Sequence, residues 1–240
     1  MPRLDSFLAG QLAIKRSDVR LLLARGRVVV DGVPATGIGQ PIGPFQQVCF
    51  DGRPLQQRSA RYLMLHKPRG VVSATRDDRH ATVIDLLDPT AAPSWDPLHI
   101  AGRLDFNATG LLLLTNDGRW SRRLTAPASK LRKRYRVTVE RPLTQAQVDA
   151  FHRGLHFAFE GIITRPAELV ICSEFEAEVG LVEGRYHQLR RMFAGVGNRV
   201  TGIHRFAVGP LVLDPDLGKG ASRALRVEEL AALDFGEGGP

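Results

Sequence analysis

Cysteine is nearly absent. Cys49 and Cys172 are the only two in 240 residues, too few for a disulfide framework and too far apart for a CxxC zinc site. Long apolar runs are missing as well: none approaches the ~18–20 residues needed to cross a bilayer. The opening MPRLDSFLAG has no basic cluster followed by a long apolar stretch, so neither a membrane partner nor a secretory leader is expected. The signatures GxxxxGK[ST], GxSxG and HExxH do not occur. GIGQPIG at 37–43 lacks the GxGxxG spacing, and Pro41 would interrupt the helix that a dinucleotide site requires. His152 and His156 are four apart with no third ligand nearby, which suits a surface pair better than a metal site. Metal, nucleotide and serine-hydrolase chemistry are therefore poorly supported.

What remains is an ordinary globular composition, 43% hydrophobic and 24% charged, of a length that fits about one to two domains. Lys and Arg number 33 against 25 Asp and Glu, a formal charge of +8. Such an excess favours an acidic polymer as partner, most simply a nucleic acid, and the expectation is a soluble, cytoplasmic protein. The excess is unevenly placed. Residues 1–61 carry nine basic and four acidic side chains, and residues 119–136 carry eight basic and none acidic. Residues 137–184 reverse the sign, with eight acidic against three basic. Segregation of this kind suggests one face that meets phosphates and another that does not.

Leu4, Phe7, Leu8 and Leu12 recur at helical spacing over 3–13, and Ser17 is expected to cap a second helix carrying Val19, Leu22 and Leu23. Gly26 stops that helix, Val28–Val30 forms a strand, and Asp31-Gly32 makes a tight turn. This module is expected to span residues 1–51. Residues 52–60, GRPLQQRSA, are polar and aperiodic and read as a linker. A second domain is expected over 61–234, with strands at 62–65, 111–115, 135–140, 167–172, 176–182 and 199–208. Helices are expected over 145–153, capped by Thr144, and over 186–194, with a turn at Asn116-Asp117-Gly118 and a frayed tail at 235–240. The pattern is α+β with a mixed, mostly antiparallel sheet.

Three segments carry chemistry. GRLDFNATGLLLLTNDG (102–118) places Asp105 in a polar loop ahead of an apolar strand, with Arg103 two residues away. Taken alone, Asp105 reads as a loop aspartate that binds backbone amides. EGRYHQLRRMF (183–193) gathers Arg185, Arg190 and Arg191 around His187 and Gln188, so that on a helix His187, Arg190 and Arg191 fall at i, i+3, i+4. KLRKRYRV (130–137) sets Tyr135 in a basic run at a strand start. That suits either a base stacked on the ring with phosphates nearby or a residue of the core. A carboxylate, an aromatic and an arginine-rich helix, with no metal motif, suit covalent chemistry on an unstacked base.

At these residues the sequence resembles the RsuA/RluB family of ribosomal RNA pseudouridine synthases. The first module, RLDSFLAGQL and SDVRLLLARGRVVVDG, is similar to an S4 RNA-binding domain. HKPRG (66–70) matches the family's first motif, and the segments around Asp105 and Arg190 match its catalytic and third motifs. Within the family, RYHQLRRMFAGVGNRV and DLGKGASRAL are most similar to the small-subunit enzymes, which modify uridine 516 of 16S rRNA. The resemblance makes Asp105 the catalytic aspartate, Tyr135 the ring that stacks on a flipped uridine, and Arg190 the partner of the aspartate. It makes Leu189 the apolar contact to the uracil, Arg103 a residue that holds the RNA open, and Lys67 a supporting residue of the first motif. By position in the S4-like module, Lys15, Arg16 and Arg20 are expected to dock RNA.

Isomerising uridine conserves every atom and involves no redox step, so the resemblance implies no cofactor. Asp105 would either attack the ribose C1′ or deprotonate C2′, and both routes stay open. Two alternatives in function also stay open: a relative acting on 23S rRNA, and a non-catalytic S4-type RNA-binding or ribosome-assembly protein. The implied partner is ribosomal RNA, free or in a small-subunit assembly intermediate, met by a monomer. One departure stands out. Ala108 replaces a Thr or Ser usual in the family, and Thr109 comes one place later, so the rigidity of the catalytic loop is the property at stake.

Overall fold

The computed structural model describes residues 1–89 and 97–233. The expected tail at 235–240 lies outside the described residues. The chain divides into two compact units, Met1–Ala60 and Arg61 onward.

The first unit runs α1 (Leu4–Leu12), α2 (Arg16–Ala24), β1 (Val28–Val30), β2 (Val33–Pro34), β3 (Val48–Phe50) and β4 (Arg53–Gln56), with sheet order β2-β1-β3-β4. Leu4 and Leu8 from α1 meet Val19 and Leu23 from α2 over Val28, Val30 and Val48, which is the amphipathic pairing the spacing predicts. Asp31 and Gly32 both take positive φ, 51° and 81°, giving the hairpin turn expected there. Two expectations are corrected. Ser17 lies inside α2, which begins at Arg16 after Lys15, and its hydroxyl turns instead to Asp18 Oδ1 at 3.1 Å. Residues 53–56, read as linker, form β4 against β3. The turn Asp51-Gly52, with φ 48° and 76°, closes that hairpin, and Pro54 is tolerated because β4 is an edge strand.

The second unit contains β5 (Tyr62–Lys67), β6 (His99–Ala101), β7 (Thr109–Thr115), α3 (Gly118–Thr125), β8 (Lys133–Val139) and α4 (Gln145–Arg153). It continues with β9 (His156–Phe157), β10 (Ile162–Ile163), β11 (Glu168–Ser173), β12 (Glu176–Leu181), α5 (Gln188–Gly195), β13 (Val200–Val208), β14 (Leu211–Val212), β15 (Ser222–Ala224) and α6 (Val227–Ala232). The main sheet has the order β11-β12-β8-β13-β7-β5-β15, with β14 on β13 and β6 on β7. Its pairs are antiparallel except β7 with β13, which is parallel. Two apolar layers cover the sheet. On one face Leu63, Leu65, Leu112 and Leu114 pack with Phe151 of α4 and Met192 and Phe193 of α5. On the other, Met64, Leu111 and Leu113 pack with Leu124 of α3 and Leu233. The four consecutive leucines of β7 are thus divided between two cores, which is why that strand lacks polar alternation.

The Asn116-Asp117-Gly118 turn does more than turn. Asp117 Oδ1 accepts from the N–H groups of Arg119 and Trp120 at 2.9 and 3.2 Å and so starts α3, which charge-rich GRWSRRLT disguises. The helix expected from Tyr186 begins only at Gln188, because His187 takes a left-handed conformation, φ 48°. Likewise α4 ends at Arg153 and His156 belongs to β9, so the two histidines do not share a helix face.

Candidate active site

Asp105 sits at the start of a tight turn between β6 and β7, closed by Ala108 N–H donating to the Asp105 carbonyl at 3.0 Å. Its carboxylate faces α5. His187 Nε2 is 3.7 Å from Oδ1, and Arg190 Nε is 3.9 Å from Oδ2. About a third of the Asp105 side chain is open to solvent, so the carboxylate is reachable. Arg190 is steadied by donating from Nη1 to the Val200 carbonyl at 3.2 Å. The third expected member of the α5 cluster is turned away: Arg191 pairs with Glu160 and lies over the Phe157 ring at 3.8 Å.

Two buried cations hold the loop, and among the described residues neither has an acidic partner bonded to it. Lys67, at the end of β5, is fully buried and donates from Nζ to the carbonyls of Pro68 (3.0 Å), Phe106 (3.3 Å) and Ala108 (2.9 Å). Burial pushes its amine down to about 8, against the opposing pull of the Asp105 charge. Arg205, on β13, is 3% exposed. It donates to the carbonyls of Gly102 (2.9 Å), Arg103 (3.4 Å) and Leu111 (2.9 Å), thereby gripping the loop at both ends. Ser73 closes a further contact, its hydroxyl donating to the Leu104 carbonyl at 2.7 Å. These anchors bear on the departure at Ala108. Its methyl is packed in the core at 1% exposure, and loop rigidity comes from Lys67, Arg205 and Ser73. The Thr109 hydroxyl serves the opposite face of the sheet, 2.9 Å from His204 Nδ1.

Gly110 shows how closely the loop is drawn in. Its φ is +109°, and a Cβ there would lie 2.2 Å from the Arg205 carbonyl oxygen. Only glycine fits that approach of β7 to β13.

Tyr135 lies on β8 opposite Arg205 and packs, partly buried, against the core layer that holds Leu104, Ala108 and Leu189. The period of the strand sorts the cations around the ring. Arg134 and Arg136 project to the other side, over Phe206 at 5.1 and 6.0 Å, while Lys133 and, from β13, Arg205 share Tyr135's side. Burial, then the Arg205 charge, pulls the Lys133 amine down. Leu189 is buried on α5, and the Arg103 side chain is exposed at the loop's upstream end. Lys15, Arg16 and Arg20 are exposed around the start of α2 in the first unit. His187 and Arg205 were not among the expected site residues. His187 was visible inside the third motif, whereas Arg205 looks in sequence like any alternating residue of a strand.

The segregation of charge along the chain is partly cancelled in space. Arg136 pairs with Glu178 at 2.7 Å and Glu176 at 3.3 Å across β8 and β12, and Arg132 pairs with Glu168. Two of the run's eight cations, Arg132 and Arg136, are thus paired with acids of β11 and β12.

A model of the RNA pseudouridylate synthase family matches residues 61–195. Over 232 residues the chain is 48% identical to ribosomal small subunit pseudouridine synthase A of Pseudomonas aeruginosa, covering 96% of this chain and 100% of that protein. It is 42% identical to the protein of that name from Escherichia coli K12, covering 96% and 99%. A crystal structure described as that of a pseudouridylate synthase aligns with 35% identity and a TM-score of 0.69, covering 97% of this chain and 99% of that one.

Proposed function

The chain belongs to the RNA pseudouridylate synthase family, and from that premise we propose that it isomerises one uridine of ribosomal RNA, uridine 516 of the 16S molecule, with Asp105 as the reacting group. The observation that carries this reading is the solvent-reachable Asp105 carboxylate faced by His187 and Arg190 at 3.7 and 3.9 Å. The names borne by the relatives from Pseudomonas aeruginosa and Escherichia coli support the small-subunit target.

The target base leaves its stack, at a cost of a few kcal/mol. Stacking on Tyr135, worth about 1–3 kcal/mol, offsets much of this, with Leu189 supplying apolar contact to the uracil. Asp105 then attacks C1′ or removes the C2′ proton. Along either route the C1′–N1 bond breaks with its electron pair going to the uracil. The uracil turns, C5 bonds to C1′, the C5 proton passes to solvent and N1 takes up a proton. Any C2′ proton is returned, Asp105 is regenerated, and every atom is conserved. Arg190 orients the carboxylate, Lys67 and Arg205 keep the loop from shifting, and the exposed Arg103 side chain holds the RNA open.

Lys15, Arg16 and Arg20 would meet phosphates. Placing cations at a helix N-terminus is unfavourable for the helix itself and favourable for binding an anion there. The protein acts in this reading as a cytoplasmic monomer on 16S rRNA, free or partly assembled.

Release of tritium from RNA labelled at C5 of uridine tests the proposal. Release from 16S rRNA at one site, and none from 23S rRNA, is the expected result. Release from 23S alone would reassign the target, and none from either would leave an RNA-binding protein without this activity.

A further inference from the structure

We propose that Tyr186 forms a second base-stacking site, taking a nucleobase adjacent in the RNA to the isomerised uridine. The inference rests on the reading of the Asp105 pocket given above. The chain has three tyrosines. Tyr62 is tied by its hydroxyl to Asp117 Oδ2 at 2.9 Å and packs on Trp120, and Tyr135 packs, partly buried, against the apolar core layer. Tyr186 is different: 74% of it is exposed.

Its ring is nonetheless placed. It stacks on the His187 ring with centroids 3.9 Å apart and planes 18° from parallel, so one face is covered and the other is open. His187 is the residue whose Nε2 lies 3.7 Å from Asp105, and a single imidazole therefore separates this ring from the reacting carboxylate. The backbone beneath is fixed. Glu183 accepts from Gln188 Nε2 at 2.7 Å, Arg185 Nε at 3.2 Å and the Arg165 N–H at 3.0 Å, and Gln188 Oε1 accepts the Arg185 N–H at 2.9 Å. Arg191 donates to the Tyr186 carbonyl at 3.4 Å. His187 itself is held at φ 48°, a conformation that concentrates at ligand-contacting positions.

A flat apolar ring, ordered before any ligand arrives and flanked by Arg185, meets the needs of single-stranded RNA: a π-face for the base and a cation for its phosphate. Because the loop is already ordered on folding, stacking there loses little conformational entropy. A neighbouring base is the natural occupant, since the flipped uridine fills the pocket beside it.

Steady-state tritium release from a 16S fragment tests this with Y186A, Y186F and Y186W, and with fragments made abasic at the nucleotide before or after the target. The expected result is a KM raised about tenfold in Y186A, with kcat within about twofold of wild type and KM restored by Trp and largely kept by Phe. On the fragment lacking the stacked base, wild type and Y186A should share one KM. A Y186A defect confined to kcat would make the ring a shield for His187, and an unchanged KM, or a KM rise that persists on both abasic fragments, would equally overturn the inference. In those cases wild-type turnover leaves the pseudouridine synthase reading standing, whereas wild type inert on every rRNA overturns both.

Discussion

At the scale of single residues, Lys67 shows how a buried charge serves a loop that itself bears the chemistry. Its ammonium satisfies three carbonyls, and burial favours the neutral amine, which offers one donor fewer. The rate at saturating RNA is therefore predicted to fall as pH rises through about 8, the value to which the amine is pushed. K67M should be slower by on the order of tenfold, since the Pro68 and Ala108 carbonyls lose this donor and Phe106 keeps only the Gly70 N–H, and should lack that limb. Stability carries the opposite sign. The folded-state value lies below the ordinary 10.5, so between about 8 and 10.5 the unfolded chain binds more protons and stability rises with pH. Tritium release and melting in the same buffers from pH 7 to 10 check both signs, and a flat rate profile would contradict the anchoring role. Asp105, Arg190 and Lys67 were legible because each stands in a motif. Arg205 was not, because a guanidinium that binds backbone carbonyls needs no acidic partner to betray it.

At the scale of elements, β7 and β13 make the parallel contact on which the catalytic loop hangs. Gly110→Ala would drive a methyl group into the Arg205 carbonyl and is predicted to cost about 2–5 kcal/mol. Gly161→Ala, also at positive φ but in open space, isolates the backbone strain and should cost only about 1 kcal/mol in urea unfolding. The C-terminal helix α6 is tied by Arg223 of β15, which donates to Glu229 at 2.7 and 2.8 Å and to Asp214 at 2.7 Å. Hydrogen bonding to Arg223 holds Glu229 well down, to about 2. Its folded-state value is thus depressed, so its contribution is complete above the ordinary 4.5 and is lost as pH falls through 2. E229Q is predicted to lose about 1–3 kcal/mol at pH 7, a deficit that shrinks below pH 4.5 in denaturant titrations. The long strands were legible from alternation or, for β7, from a continuous apolar run, and α4 from Thr144. The three-residue β1 was legible too, but other short elements were not: α3 hides its single buried leucine, Leu124, among arginines, and β4 carries a proline that only an edge strand tolerates.

At the scale of the whole molecule, net charge of +8 pointed to an acidic partner but not to where it docks. Sign segregation along the chain is modified in the second unit, where antiparallel pairing brings β8 beside the acidic β12 and pairs Arg136 with Glu176 and Glu178. In the first unit Lys15, Arg16 and Arg20 form no ion pair among the described residues. Replacing all three with Gln is predicted to weaken RNA binding most at low salt. It should reduce the slope of log affinity against log salt by roughly 2–3, about 0.7–0.9 per phosphate contact. Chemistry on saturating RNA should be unchanged. Filter binding across salt concentrations, paired with single-turnover rates, reads both quantities, and equal affinity of variant and wild type at every salt would contradict the assignment.

The reacting role of Asp105 is tested most directly by single-turnover tritium release from 16S rRNA at saturating enzyme, comparing wild type with D105N after their affinities for that RNA have been matched. A variant that binds like wild type but releases tritium slower by on the order of 10³-fold or more is the predicted result. Release by D105N within tenfold of the wild-type rate would contradict it.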